Sequence, residues 1–312
     1  MAWFRFRRGK RKKSDVRLFE LNLGDNLAKV YEQLETNMYL HGGYSMFNVS
    51  DPKPRIIHKA NVADRVVHRL IYDTLYWYFH QRFIHDSYSC RRGKGPYKAI
   101  ERFKKFAGQV SENYTRTAWV LKCDVRKFFA SIDHARLKQI LARNISDPNV
   151  LWLCGQIIDS FNSGMPGRGL PLGNLTSQLF GNVYMHELDM YVKQGLRVKN
   201  YIRYADDFVV ISNSRDELEK LLPKVRNFLC GDLKLDLHKD KVFIQAYSSG
   251  VDFLGWVHFP KYRVLRTSTK CRLMRNSQWY PLRETINSHR GLLSHGHTFK
   301  IRKKLFALLE TS

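Results

Sequence analysis

Acidic residues are scarce in this chain. Against 53 lysines and arginines stand only 28 aspartates and glutamates over 312 residues, a formal net charge of +25. That excess is far beyond what solubility requires, and it points to a polyanionic partner. Cysteine is sparse as well: Cys90, Cys123, Cys154, Cys230 and Cys271 are scattered with no CxxC pair. This spacing argues against a disulfide framework or a zinc cluster and fits a reducing cytoplasm, the expected location. No apolar run approaches the roughly 20 residues that cross a bilayer, so no membrane association is expected. Met1-Ala2-Trp3-Phe4-Arg5 is not followed by the apolar core of a signal peptide. No internal repeat is evident. His58, His68, His85, His134, His238 and His289 lack metal-ligand spacing, and His41-Gly42-Gly43 and Arg92-Gly93-Lys94-Gly95 lack the strand-to-helix setting of a P-loop.

What is present is a core-forming composition, 44% apolar and 13% aromatic, with about two domains as a length-based prior. Helical periodicity runs from Asp64 to Gln81 and from Pro96 to Phe106. Asp133 and Asp147-Pro148 open two further helices, the second running through Ile158. The stretch from Phe161 to Gly173 is rich in Gly and Pro and reads as a loop. Helices are then expected from Asn174 to about Lys193 and from Asp216 to Leu229. Charge is uneven. Arg5, Arg7, Arg8, Lys10, Arg11, Lys12 and Lys13 crowd the N-terminus, where the first dozen residues read as disordered. After Pro260, twelve lysines or arginines face only Glu284 and Glu310. Two basic ends suit surfaces that track a phosphate backbone. Trp3, Phe4 and Phe6 interleave with the first run, which suits either base stacking or packing against the body of the protein.

The chemistry concentrates at Tyr204-Ala205-Asp206-Asp207, between Tyr201-Ile202-Arg203-Tyr204 and the apolar run Phe208-Val209-Val210-Ile211. Both flanks favour strand, so the paired acids lie in a hairpin turn. Aspartate is a common turn former, and the pair alone says little. A third acid, Asp124, follows the apolar run from Trp119 and precedes Phe128-Phe129. Two or three carboxylates from separate strands suffice for a pair of Mg²⁺ ions, which keep part of their shell for water and substrate phosphate.

These segments, in this order, resemble the reverse transcriptases along most of the chain. Lys122-Cys123-Asp124 through Phe129 is similar to the family's first catalytic segment, Gly169-Leu170-Pro171-Leu172-Gly173-Asn174-Leu175-Thr176-Ser177-Gln178 to its template-contacting segment, and Tyr204 to Asp207 to its hairpin. Leu235 to Lys241 and Phe253-Leu254-Gly255-Trp256 are similar to later palm segments. Ser177-Gln178, where most bacterial relatives carry Ser-Pro, resembles the reverse transcriptases of diversity-generating retroelements, as does His85 to Gly95.

The resemblance implies an α+β, right-hand polymerase fold. Residues 1–99 would be fingers with a basic N-terminal segment, 100–131 palm, 132–167 a fingers/palm connection, 168–258 palm and 259–312 a short helical thumb. Ribonuclease H, integrase or zinc-bearing endonuclease domains are not expected within this sequence. The resemblance also implies RNA-directed DNA synthesis that is error-prone opposite adenine, copying a template-repeat RNA into cDNA that replaces part of a variable gene. Its metal site would be Asp124, Val125, Asp206 and Asp207 with two Mg²⁺, Mn²⁺ being a possible substitute.

By the same resemblance Lys53, Arg55, Arg91, Lys94, Phe129, Gln178 and Lys241 would meet the deoxynucleoside triphosphate. Phe129 would stand against the sugar as a wall to a 2′-hydroxyl, with Phe128 in the core. Lys53, Arg55, Arg91 and Lys94 read either as triphosphate clamps or as solvated loop charges. Lys241 would act near the leaving pyrophosphate, as proton donor or as electrostatic aid. Leu172, Gly173, Ser177 and Gly255 would line template and primer. Template RNA, the cDNA or primer strand and a small basic accessory protein are the expected partners. A group II intron-like or defence-associated reverse transcriptase, and a catalytically silent RNA-binding relative, are the alternatives.

Overall fold

The computed structural model describes residues 1–50, 54–279 and 283–310. Its strands form three antiparallel sheets. β1 (Tyr44–Val49) pairs with β2 (Arg55–Ala60). β3 (Trp119–Asp124), β4 (Tyr201–Tyr204), β5 (Asp207–Ser212) and β6 (Phe243–Ala246) make a central sheet in the order β4-β5-β3-β6. β7 (Val251–Phe253), β8 (Trp256–His258) and β9 (Arg263–Leu265) make the third sheet.

The central sheet is buried on both faces, which is why its strands read as continuous apolar runs. Successive side chains alternate between two cores with the period of a strand. Leu121, Cys123, Phe208 and Val210 point into the larger core, with Phe180 and Tyr184 of the Leu175–Met190 helix. Val120, Ile202, Val209 and Ile211 point into the second, with Phe103 and Phe106 of the Pro96–Val110 helix and Phe253 of β7. A one-residue slip would exchange these faces, so the register that sets Asp124 opposite Asp207 is fixed by burial.

The expected helices are present with small boundary shifts. The first runs Val62–Arg82 and is capped by Asn61, whose Oδ1 accepts from the Asp64 amide at 2.8 Å. Asp133 and Asp147 cap the next two as expected. Ser214 caps the Arg215–Gly231 helix, one residue ahead of the expected start. The expected boundary at 99/100 falls inside the Pro96–Val110 helix, and β9 carries the third sheet past residue 258. The reading of the first dozen residues as disordered is corrected. Ala2–Arg7 is a helix whose Trp3 and Phe6, each 3% exposed, pack with Val16, Val62 and Val66. Phe4 alone of the three aromatics faces solvent. No helix among the described residues is long and apolar enough to cross a membrane.

A buried polar network joins the N-terminal region to the template-contacting segment. Tyr39 donates to Asp64 Oδ1 at 2.7 Å, and His41 Nε2 meets His68 Nε2 at 3.0 Å. His68 Nδ1 in turn meets the hydroxyl of Thr176, in the first turn of the Leu175–Met190 helix. Burial, with His41 and Arg65 adding, pushes the His68 pKa down to about 3. The folded state therefore keeps this ring neutral, while the unfolded chain takes up a proton below about pH 6.5. Its contribution is intact above that pH and is lost as pH falls toward 3. At pH 5 the loss is expected to be about 2 kcal/mol. Melting curves at pH 7.5 and 5 check this, and His68→Gln is expected to flatten the difference.

Candidate active site

The three acids meet at one end of the central sheet. Asp124 closes β3 opposite Asp207, and Asp207 also pairs with Tyr204 across a two-residue turn, Ala205-Asp206. Directly opposed residues share a face, so Asp124 and Asp207 lie on one side of the sheet while Asp206 sits at the tip. The Val125 amide donates to the Asp206 carbonyl at 3.2 Å, and the His238 amide to the Asp124 carbonyl at 2.8 Å. Val125 itself is buried.

Charge is crowded here. Burial raises the Asp206 pKa, and the Asp124 carboxylate beside it raises it further. Asp207 is pushed up to about 7, first by burial and then by Asp124 and Asp206, against the pull of Lys122. Lys122 Nζ lies 3.5 Å from Asp207 Oδ2 and donates to the Asp252 carbonyl at 2.8 Å, tying β7 to the site. Asp207 Oδ1 is buried with no hydrogen-bond partner. Lys241 Nζ donates to Asp124 Oδ1 at 2.9 Å. Among the described residues no group of three or more His, Cys, Asp or Glu is gathered closely enough to hold a metal in this arrangement. The donor chemistry nevertheless suits Mg²⁺: hard carboxylate oxygens, mutually repelling, one of them unpartnered.

Around the acids, Phe128 is buried in the core as expected, while Phe129 is half-buried with its ring centroid 5.1 Å from that of Phe128. Both rings lean on Gly181, where an added Cβ would lie 3.2 Å from Phe128 and 3.3 Å from Phe129. The template-contacting segment is docked on β2: the His58 amide donates to the Leu172 carbonyl at 3.0 Å, and Asn174 Nδ2 to the His58 carbonyl at 2.9 Å. Gly173 holds φ +106°, with Ile57 close enough to exclude a side chain. Ser177 is buried, while Gln178 is exposed on the first turn of its helix. Arg55, exposed at the start of β2, contributes a positive charge that opposes the upward shift of the Asp206 pKa.

Other expected residues are not brought to the acids. Arg91 Nη1 donates to the carbonyls of Ile84 at 2.6 Å and Ser87 at 2.9 Å, and its Nη2 to that of His80 at 3.1 Å. Lys94 donates to the His85 carbonyl at 2.9 Å. Arg91 thus ties its loop to the end of the Val62–Arg82 helix, and Lys94 holds its own loop. Gly255 lies in the β7–β8 turn, where Leu254 at φ +51° and Gly255 at φ +85° have the positive angles of a two-residue hairpin. Lys53 lies outside the described residues.

Sequence reasoning gave no role to Lys122 or Arg203. Lys122 was within reach, two residues before Asp124 and therefore on the same strand face. Arg203 is fully buried and ion-paired to Asp189 at 2.6 Å.

The family described as "Reverse transcriptase (RNA-dependent DNA polymerase)" matches residues 49–258, more than half of the chain. This chain belongs to the reverse transcriptase family. The match covers all three acids, and the enzyme is an RNA-directed DNA polymerase by class. The reverse transcriptase is similar to Protein YkfC of Escherichia coli (strain K12), 26% identical over 275 residues, covering 76% of this chain and 70% of that protein. It is also similar to the Putative COX1/OXI3 intron 2 protein of Saccharomyces cerevisiae, 20% identical with 74% of this chain and 34% of that protein covered. The Group II intron-encoded protein LtrA of Lactococcus lactis subsp. cremoris is 20% identical over 227 residues, 51% of this chain and 37% of that protein. The chain thus spans about a third of these two intron proteins. In fold, it is similar to telomerase from Candida tropicalis in complex with a TWJ fragment of telomeric RNA, at TM-score 0.53 and 13% identity. That likeness covers 91% of this chain and 56% of the other, and it shows the expected right-hand polymerase fold.

Proposed function

We propose that this reverse transcriptase copies a template-repeat RNA into adenine-mutagenic cDNA, as the polymerase of a diversity-generating retroelement. The carrying observation is Gln178, which follows buried Ser177 and presents an exposed amide on the helix beside Leu172 and Gly173. In the proposed reaction the primer 3′-hydroxyl attacks the α-phosphate of a deoxynucleotide, forming the new phosphodiester and breaking the bond to the leaving pyrophosphate. Two Mg²⁺ ions held by Asp124, Asp206, Asp207 and the Val125 carbonyl would supply stabilisation of the charge that develops. Lys241, whose Nζ donates to Asp124 Oδ1 at 2.9 Å, would assist the leaving pyrophosphate as proton donor or electrostatic aid. Arg55 approaches the triphosphate from β2, with Lys53 preceding it in sequence, and Phe129 walls off the 2′-hydroxyl.

The strongly basic surface suits template RNA and the growing strand. A cavity of about 430 Å³ beside the N-terminal helix is lined by Arg5, Arg8, Arg69, Arg92, Tyr72 and Trp77, with Asp73 pairing Arg5 and Arg69. A small basic accessory protein and mutagenic retrohoming belong to the same reading. A group II intron-like reverse transcriptase is the second reading, favoured by the intron-encoded relatives.

Proline at position 178 would remove a backbone donor and fix φ in the first helical turn. Only about 1.4 kcal/mol separates a tenfold difference in base selection. Sequencing of cDNA made on one RNA template is expected to show errors concentrated opposite adenine for the native enzyme and fewer for Gln178→Pro. An unbiased native spectrum favours the intron-like reading, and identical spectra remove Gln178 from base selection.

A further inference from the structure

Arg203 has five N–H donors, and all five are engaged. Nε and Nη2 grip the two oxygens of Asp189 at 2.7 and 2.6 Å. Nη2 also reaches Ser87 Oγ at 3.2 Å, and Nη1 reaches Asn182 Oδ1 at 3.2 Å. The fifth bond runs from Nη1 to the carbonyl of Ala205 at 3.0 Å. Tyr201 adds a hydroxyl to Asp189 at 2.8 Å, and neither partner of the ion pair has any exposed side-chain surface.

Ala205 is the first residue of the turn that carries Asp206, and it sits at φ +57°, a conformation that costs a residue with a Cβ roughly 1–3 kcal/mol. Its carbonyl is held by Arg203, and the next carbonyl, of Asp206, is held by the amide of Val125, the residue that follows β3. The two peptide planes that follow Ala205 and Asp206 are therefore pinned, one to a buried guanidinium and one to the residue next to Asp124. A buried ion pair is a poor source of net stability, because its desolvation offsets its attraction. It is well suited to fixing geometry, since a planar, bidentate guanidinium has one orientation.

We propose that Arg203, locked by Asp189, is a positioning residue that sets the Ala205-Asp206 peptide, and through it the direction of the Asp206 carboxylate toward the metals. It rests on Asp206 being a metal ligand. That premise is tested separately by loss of Mn²⁺ binding in Asp206→Ala.

The test is Mn²⁺ binding followed by electron paramagnetic resonance, with template, primer and a non-hydrolysable deoxynucleotide present, alongside melting temperature. Arg203→Lys keeps a cation for Asp189 but cannot serve five acceptors. It is expected to raise the Mn²⁺ concentration at half-saturation by about tenfold or more, the usual effect of losing a residue that orients a ligand. Ser87→Ala and Asn182→Ala leave the Ala205 bond in place and are expected to lower the melting temperature without moving the Mn²⁺ midpoint. If Arg203→Lys does not fold, the charge-neutral pair Arg203→Gln with Asp189→Asn carries the test, with the same expected shift. A native midpoint in the folded Arg203 variant overturns the proposal. So does an equal shift in Ser87→Ala and Asn182→Ala, which would show general loosening.

Discussion

Asp206→Ala is expected to abolish primer extension on an RNA template, by roughly 10³-fold or more, about 4 kcal/mol of barrier. The melting temperature is expected to hold or rise. The reason is electrostatic: burial and the neighbouring Asp124 both raise the Asp206 pKa, so its ionised form is strained where it stands. Removing it relieves repulsion in the folded protein. Only an added cation makes that crowding productive. A variant that still extends a primer near the native rate would show that Asp206 holds no essential metal. A variant that fails to melt cooperatively would show instead that the turn needs the side chain.

Phe129→Ala is expected to let ribonucleotides in, lowering the ratio of kcat/KM for deoxy over ribo substrates by about 10–200-fold, the range that steric fit in a pocket supplies. The half-buried ring is braced by Phe128 and by the missing Cβ of Gly181. It is thus held firmly without being part of the deep core. Phe128→Ala, by contrast, would open a cavity and cost about 3–5 kcal/mol of stability. Single-nucleotide incorporation kinetics distinguish the two. Unchanged discrimination in Phe129→Ala would move the wall elsewhere.

The hairpin, its two strands and the acids were legible because burial on both faces writes itself as an apolar run, and a turn interrupts it with polar residues. The helices were legible from caps and 3.6-residue spacing. The N-terminal helix was not. Seven cations in thirteen residues hide a pattern of only Trp3, Phe6 and Val16, whose partners Val62 and Val66 lie some fifty residues on. Arg203 was passed over for a related reason. In sequence it is one polar residue in an aromatic strand, and the acid that explains it, Asp189, belongs to the preceding helix. Arg91 is the converse case. A guanidinium in a glycine-rich loop reads as a phosphate clamp, yet nearby carbonyls of His80, Ile84 and Ser87 can satisfy the same donors.

The order β4-β5-β3-β6 gives the central sheet a temporal aspect. β4 and β5 are joined by a two-residue turn and can zip within microseconds of collapse. β3, at the sheet's interior, must wait for a partner more than eighty residues downstream, and closing so long a loop is entropically slow. Asp124 and Asp206 therefore come within range of each other only when β3 joins β5. Until then the chain holds its acids apart and is an inert, basic polymer. On refolding, polymerase activity should return with the last β3–β5 contacts, after helix formation is already complete.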